Sequence, residues 1–240
     1  MDPGQKGCES MMSRYLILLF LYLWPLGAIA QKNETVWTLG ENSFAVLNGD
    51  SSIRKWRIAT DVVHGSIHLP FSKEQVAHFV RWTREHPEAA SSRIEKEFKN
   101  TPPKIQATLK IKINELKSGN THMEKDMQEA LKAKEYPWIV FTLSDVNKVS
   151  VQPREDESVG IILHTTGLLQ LAGAEKIVRL DFKLTPTLEK GVLLVSDSEF
   201  LMTSFDITPP RGLFGLIKAR DKVDIHYEIQ LVEEEPPPSE

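Results

Sequence analysis

The chain has 240 residues, with 29 Lys and Arg against 33 Asp and Glu for a formal charge of −4, and 41% of its residues are hydrophobic. Mild acidity with an ordinary apolar fraction excludes a basic nucleic-acid binder, a polytopic membrane protein and a wholly disordered chain. Cys8, the one cysteine, rules out an intramolecular disulfide and a cysteine-based zinc site.

At the N-terminus, Lys6 and Arg14 precede an apolar run from Tyr15 to Leu26 that is short for a membrane span and ends in Ala28-Ile29-Ala30. That order reads as a secretory signal peptide over residues 1–30, cut before Gln31, with Met11 or Met12 as alternative starts and a retained N-terminal anchor as the competing reading. The expected location is therefore periplasmic or secreted, with no transmembrane segment after cleavage and no cysteine left. Residues 31–37 read as a polar edge, and Asn33-Glu34-Thr35 is a glycosylation sequon only in a eukaryotic host.

Strands are expected at Phe44 to Leu47 and Ile53 to Ile58, joined by a hairpin turn at Asn48-Gly49-Asp50, and then at Val62 to Leu69. Ser72-Lys73-Glu74-Gln75 is a capping box, stapled by Phe71 and Val76, for a helix that runs to His86-Pro87. Ala90, Ile94 and Phe98, four apart, predict a second helix that stops at Thr101-Pro102-Pro103. From Ile105 to Ile113 the apolar residues alternate strictly, the mark of a strand with one wet face. Thr121-His122-Met123-Glu124 reads as a second capping box, and it opens a helix with Met123, Met127, Ala130 and Leu131 on one face up to Tyr136-Pro137. Strands follow at Trp138 to Leu143, Ile161 to Leu171, Val178 to Leu184, Val192 to Phe205 and Val223 to Leu231. The end, Glu233-Glu234-Glu235 and Pro236-Pro237-Pro238, reads as a disordered tail over residues 233–240. Eight or nine antiparallel strands with one apolar face must close or fold over, so the class is all-β with helical additions, an antiparallel barrel of about eight strands with two or three short helices.

Chemistry is sparse. His64 and His68 lie in an alternating run, where four residues span about 13 Å along a strand, so they do not chelate. The other histidines read as surface residues, and no nucleophile elbow, P-loop, dinucleotide fingerprint or zinc-protease motif occurs. Glu124, Asp126, Glu129 and Glu135, interleaved with lysines, have the pattern of a solvated helix face, and Arg154-Glu155-Asp156-Glu157 that of a loop. Hydrolytic or metal chemistry would need His122 or His164 to converge with carboxylates. An apolar barrel interior remains, and periodicity does not tell a packed one from one that holds a lipid.

Tyr136-Pro137-Trp138-Ile139-Val140-Phe141, Gly167-Leu168-Leu169-Gln170-Leu171-Ala172-Gly173 and Lys176-Ile177-Val178-Arg179-Leu180 resemble the Y-P-x-I-x-F, G-x-L-x-L-x-G and K-x-V-x-L signatures of the YceI-like family. Ser51 to Trp56, Leu116-Lys117-Ser118-Gly119 and Phe205-x-Ile207-x-Pro209-Pro210 are similar to one branch of it, and the ordered set covers residues 43–232. The resemblance implies a lipocalin-like barrel, non-enzymatic, whose interior takes a long isoprenoid or similar lipid and needs no other cofactor. It implies an interior lined by Ile139, Phe141, Leu169, Leu171, Val178, Leu180, Ile225 and Tyr227, with Met123 and Met127 as an adaptable lid. Related barrels can pair, so a homodimer is compatible with it. The helical segment 73–99 is longer than the family usually carries, and it leaves a second reading: a ligand-free structural or protein-interaction barrel presenting Phe79, Trp82 or Phe98 to a partner.

Overall fold

In the computed structural model the described residues are 35–100, 104–153, 159–187, 191–212 and 217–233. The expected signal peptide, the Arg154–Glu157 loop and the tail beyond Glu233 lie outside them. Eleven strands are seen among these residues: β1 Thr35–Leu39, β2 Phe44–Ser51, β3 Lys55–Thr60, β4 His64–Leu69, β5 Gln106–Lys112, β6 Trp138–Pro153, β7 Val159–Leu171, β8 Ala174–Thr187, β9 Gly191–Leu201, β10 Arg211–Gly212 and β11 Ile217–Glu233. Helices α1 (Lys73–Glu85) and α2 (Pro87–Asn100) stand between β4 and β5, and α3 (Thr121–Ala130) precedes β6. None of the described helices is long and apolar enough to cross a membrane.

The strands pair in the order β1-β4-β5-β6-β7-β8-β9-β11, and β11 returns to β1, so eight antiparallel strands close a barrel. Closure removes both free edges at once. β2 and β3 are continuations of two of its staves. β11 pairs with β2 from Ala219 to Glu228 and with β1 from Leu231 to Glu233, and Gly40 N–H donates to Gln230 O at the kink between them. On the far side β3 pairs with β2 and β4 with β1, and Ala59 bridges to Lys117 just after β5. The β1–β2/β3–β4 pair is thus one long bent hairpin.

Three expectations are corrected. The hairpin turn is not Asn48-Gly49-Asp50, which lies within β2; the chain reverses at Ser51 to Arg54, where the Ser51 hydroxyl accepts from Ile53 and Arg54 N–H (3.4 and 3.2 Å). Gly49 is there because the Trp56 indole lies across it, 2.1 Å from where a Cβ would stand. The N-cap of α3 is Asn120, whose side-chain oxygen accepts from His122 and Met123 N–H (3.1 and 3.2 Å), while Glu124 turns back to accept from Ser118 and Gly119 N–H (2.8 and 3.1 Å). Residues 35–39 are not a loose edge but β1, and Trp37 there is fully buried with its indole N–H donating to Phe71 O (3.1 Å). The capping box at Ser72 is present as expected.

Inward residues fill the two ends differently. Val76, Trp82, Ala90 and Ile94 of α1 and α2 join the buried cluster of Leu69, Ile161, Leu163, Leu184, Val192 and Leu194. These helices plug one end of the barrel. At the other end a smaller cluster, Ala45, Ile58, Ile111, Ile113, Leu116 and Met127, holds β2, β3 and α3 together.

Candidate functional site

Behind α3 the barrel is hollow. The cavity measures about 720 Å³. Its walls come from alternate residues of β2, β3, β6, β7 and β11, which the register turns inward: Leu47 lies opposite both Ile58 and Ile225. α3 closes it laterally with Met123, Met127 and Leu131, one turn apart on one face. Beyond Leu201 the chain leaves β9 in a 3₁₀ turn, Met202–Phe205, which supplies Met202 and Phe205 to the wall. Ser51, Arg54, Asn120, His122, Asp126 and Arg211 are its polar lining, and four of these are exposed, which marks the open side.

Of the ten residues expected to line the interior, Met123, Met127, Ile139, Leu169, Leu171, Ile225 and Tyr227 face this cavity. Phe141, Leu180 and Val178 do not. Phe141 and Leu180 are buried around a separate void of about 20 Å³ deeper in the barrel, and Val178 is packed against the core. Phe141 stacks at a tilt on Phe182 (5.9 Å) and crosses Gly167, where a Cβ would stand 2.3 Å from the ring. The floor of the cavity is the partition it shares with that void, Ile139, Leu169, Phe200 and Tyr227, and the two rings lie beneath it. Sequence reasoning missed Trp56, Ile58, Phe200 and Phe205 in the wall. Alternation in 53–58 signals the first two, once the turn is placed at Ser51 to Arg54.

The cavity wall carries one phenol. Tyr227 sits where the cavity meets the floor, and burial among apolar groups pushes its hydroxyl up to about 12. Ser196, opposite Tyr227 in the β9–β11 ladder, is also buried, and its hydroxyl has no partner among the described residues.

A second constellation lies on the outside. Ser150 Oγ is 2.8 Å from His164 Nε2, and His164 Nδ1 is 2.9 Å from Asp181, across β6, β7 and β8. This is the hydrogen-bond order of a hydrolytic triad, but it lines neither void and stands on the outward register. His226 and Asp197 repeat the His–Asp half of it at 2.7 Å on β11 and β9. Both are cross-strand polar pairs of a solvated sheet face. His64 lies 3.5 Å from Glu115 and edge-on to Trp138.

Neither Phe79 nor Trp82 forms the exposed patch that the second reading expects. Trp82 is only 8% exposed, stacked on His86 (5.5 Å) with Arg93 over its ring (5.1 Å), and Phe79 packs against the core; the Phe98 side chain lies outside what is described.

The model of the YceI-like domain family matches residues 52–231. Among solved structures, a polyisoprenoid binding domain from Saccharophagus degradans implicated in plant cell wall breakdown has a TM-score of 0.53 at 10% identity, covering 84% of this chain and all of that one. BcnA of Burkholderia cenocepacia has a TM-score of 0.48 at 13% identity, covering 79% and 95%. The YceI protein of Campylobacter jejuni has 0.40 at 20% identity, covering 55% and 73%. No curated protein matches the chain in sequence.

Proposed function

Because the chain belongs to the YceI-like family, whose fold is a binding-protein fold, we propose that it is a carrier or sequestering protein for one long apolar lipid of isoprenoid type, acting outside the cytoplasm. The observation that carries this reading is the cavity of about 720 Å³ behind α3, walled by Leu, Ile, Met, Phe and Trp, its polar groups at the rim apart from the Tyr227 hydroxyl. Such a space left to water would hold poorly bonded molecules, and a hydrocarbon chain gains about 0.8 kcal/mol for each methylene that leaves water. Affinity then comes from burial, without a strong polar contact, against the cost of ordering the chain. The polyisoprenoid binding domain of Saccharophagus degradans shares the fold and supports the ligand class. The apolar run ending at Ala28-Ile29-Ala30 supports export.

The test is to purify the full-length protein from its host, extract it with organic solvent and identify the lipids by mass spectrometry. One lipid at close to one equivalent is expected. An empty protein that also fails to take up a soluble apolar fluorophore would overturn the proposal.

A further inference from the structure

The cavity opens among an unusual concentration of charge. Residues 48–57 and 209–220 carry six cations, Arg54, Lys55, Arg57, Arg211, Lys218 and Arg220, against one carboxylate, Asp50, in a chain whose formal charge is −4. The fold brings the two segments together. Arg211 is the ladder partner of Lys218, Lys218 exchanges hydrogen bonds with Ser52 (2.9 and 3.2 Å), and Ala219 lies opposite Ser51. All six cations are exposed, and none is ion-paired among the described residues, whereas nearby Lys222 is held by Glu199 and Asp224. Asp221, the next carboxylate along β11, is occupied by the Thr203 hydroxyl (2.6 Å) and N–H (2.8 Å).

Two large apolar side chains stand exposed at this end. Ile53, at the tip of the β2–β3 hairpin, is 64% exposed between Ser52 and Arg54. Leu201, on the cavity rim where β9 ends, is 45% exposed. Apolar residues projecting from a basic rim are the arrangement of proteins that sit on anionic bilayers: cations near the surface are drawn to its potential, and apolar tips enter the headgroup boundary.

We propose that this end of the barrel docks on an anionic lipid bilayer, with Ile53 and Leu201 in the interface and the cavity mouth against the membrane. A lipid then moves between bilayer and cavity without its chain crossing water. The docking itself needs only the rim; its use for loading rests on the lipid-carrier reading above.

Vesicle flotation tests it. The protein is mixed with vesicles of phosphatidylcholine alone, or of equal parts phosphatidylcholine and phosphatidylglycerol, over a range of salt. Binding to the anionic vesicles alone is expected, and it should weaken as salt shortens the screening length below about 8 Å. Lys55→Gln, Arg57→Gln and Arg220→Gln together, all outside the cavity lining, should cut binding about a hundredfold, at about fivefold for each cation near the surface. The same variant should take up N-phenyl-1-naphthylamine in its cavity like the unaltered protein. Equal binding to neutral and anionic vesicles, binding to neither, or salt-insensitive binding overturns the docking proposal. If the fluorophore is not taken up by the unaltered protein while anionic vesicles still bind, the docking stands and the lipid-carrier reading falls.

Discussion

Phe141→Ala tests whether the floor of the cavity sets the length of chain it accepts. The Phe141 ring is buried against the 20 Å³ void beneath the floor residues Ile139, Leu169 and Tyr227, in contact with Phe182 and across Gly167. A cavity of about 150 Å³ holds a benzene, or about 25 Å³ per carbon. At that density the 720 Å³ cavity takes about 29 carbons, close to six isoprene units. Deleting the ring opens space into which Ile139 and Leu169 relax, and brings the connected total to about 840 Å³, room for about one further unit. At about 0.3 kcal/mol per ligand atom, a five-carbon unit inside is worth about 1.5 kcal/mol, roughly tenfold in Kd. Isoprenoid alcohols of increasing length, titrated against a displaceable fluorophore, should therefore tighten about tenfold per unit up to about six units and then level off. In the variant the plateau should move out by one unit, while stability falls by about 3–5 kcal/mol, as for other large-to-small core changes. Phe141→Leu supplies a milder variant if the alanine form does not fold. Affinity that keeps rising with length in the unaltered protein, or a plateau unmoved in a folded variant, would refute the argument.

Trp82→Ala should cost about 3–5 kcal/mol in denaturant unfolding yet leave fluorophore affinity unchanged, because Trp82 plugs the end of the barrel away from the cavity. Gly49→Ala forces a methyl group into the Trp56 indole, so about 1–3 kcal/mol should be lost together with the cavity wall that Trp56 forms, read as a lowered Tm and weaker fluorophore uptake. The carboxylate of Glu124 is held below its usual range, first by the Ser118 N–H and then by the Gly119 N–H and Lys117. A depressed carboxylate stabilises above its unfolded pKa and loses that contribution as pH falls through the folded one. Glu124→Gln should therefore lower Tm at neutral pH and cease to differ from the unaltered protein in strong acid. Lys222 runs the other way: its ammonium is raised by Glu199 and then by Asp224, so Lys222→Met should lower Tm below the unfolded lysine pKa and stop mattering as pH rises through the folded one.

What could be read from the sequence depended on whether burial was one-sided. β5, β8 and β11 alternate because one face meets the core and the other water, and each was legible from the period alone. β1 was not, since Thr35-Val36-Trp37-Thr38-Leu39 is short and its burial comes from β4, β11 and Phe71, all distant in sequence. The Asn48-Gly49-Asp50 turn signal was misleading because glycine serves two needs. It permits a tight turn, but it also lets an aromatic ring lie flat on a strand, and only the position of Trp56 decides between them. Interior residues show the same limit. Phe141 and Leu180 have the inward parity of Ile139 and Leu169, yet they sit beneath the floor that those two help to form. Period two gives the face of a strand and carries nothing about height along the barrel axis.

Height is set by the two insertions into an otherwise regular barrel. The α1–α2 segment fills one end with Val76, Trp82, Ala90 and Ile94, so a chain entering the cavity meets aromatic floor and then packed helix. The β2–β3 extension and α3 lengthen the wall at the other end without filling it, and Met123 and Met127 line the space there. On the lipid-carrier proposal, a lipid enters and leaves past Arg54 and Arg211 on the open side. On that proposal the charge there acts on every exchange event, and weakening it should slow transfer between membranes more than it weakens the loaded state, where the chain rests mainly on apolar wall.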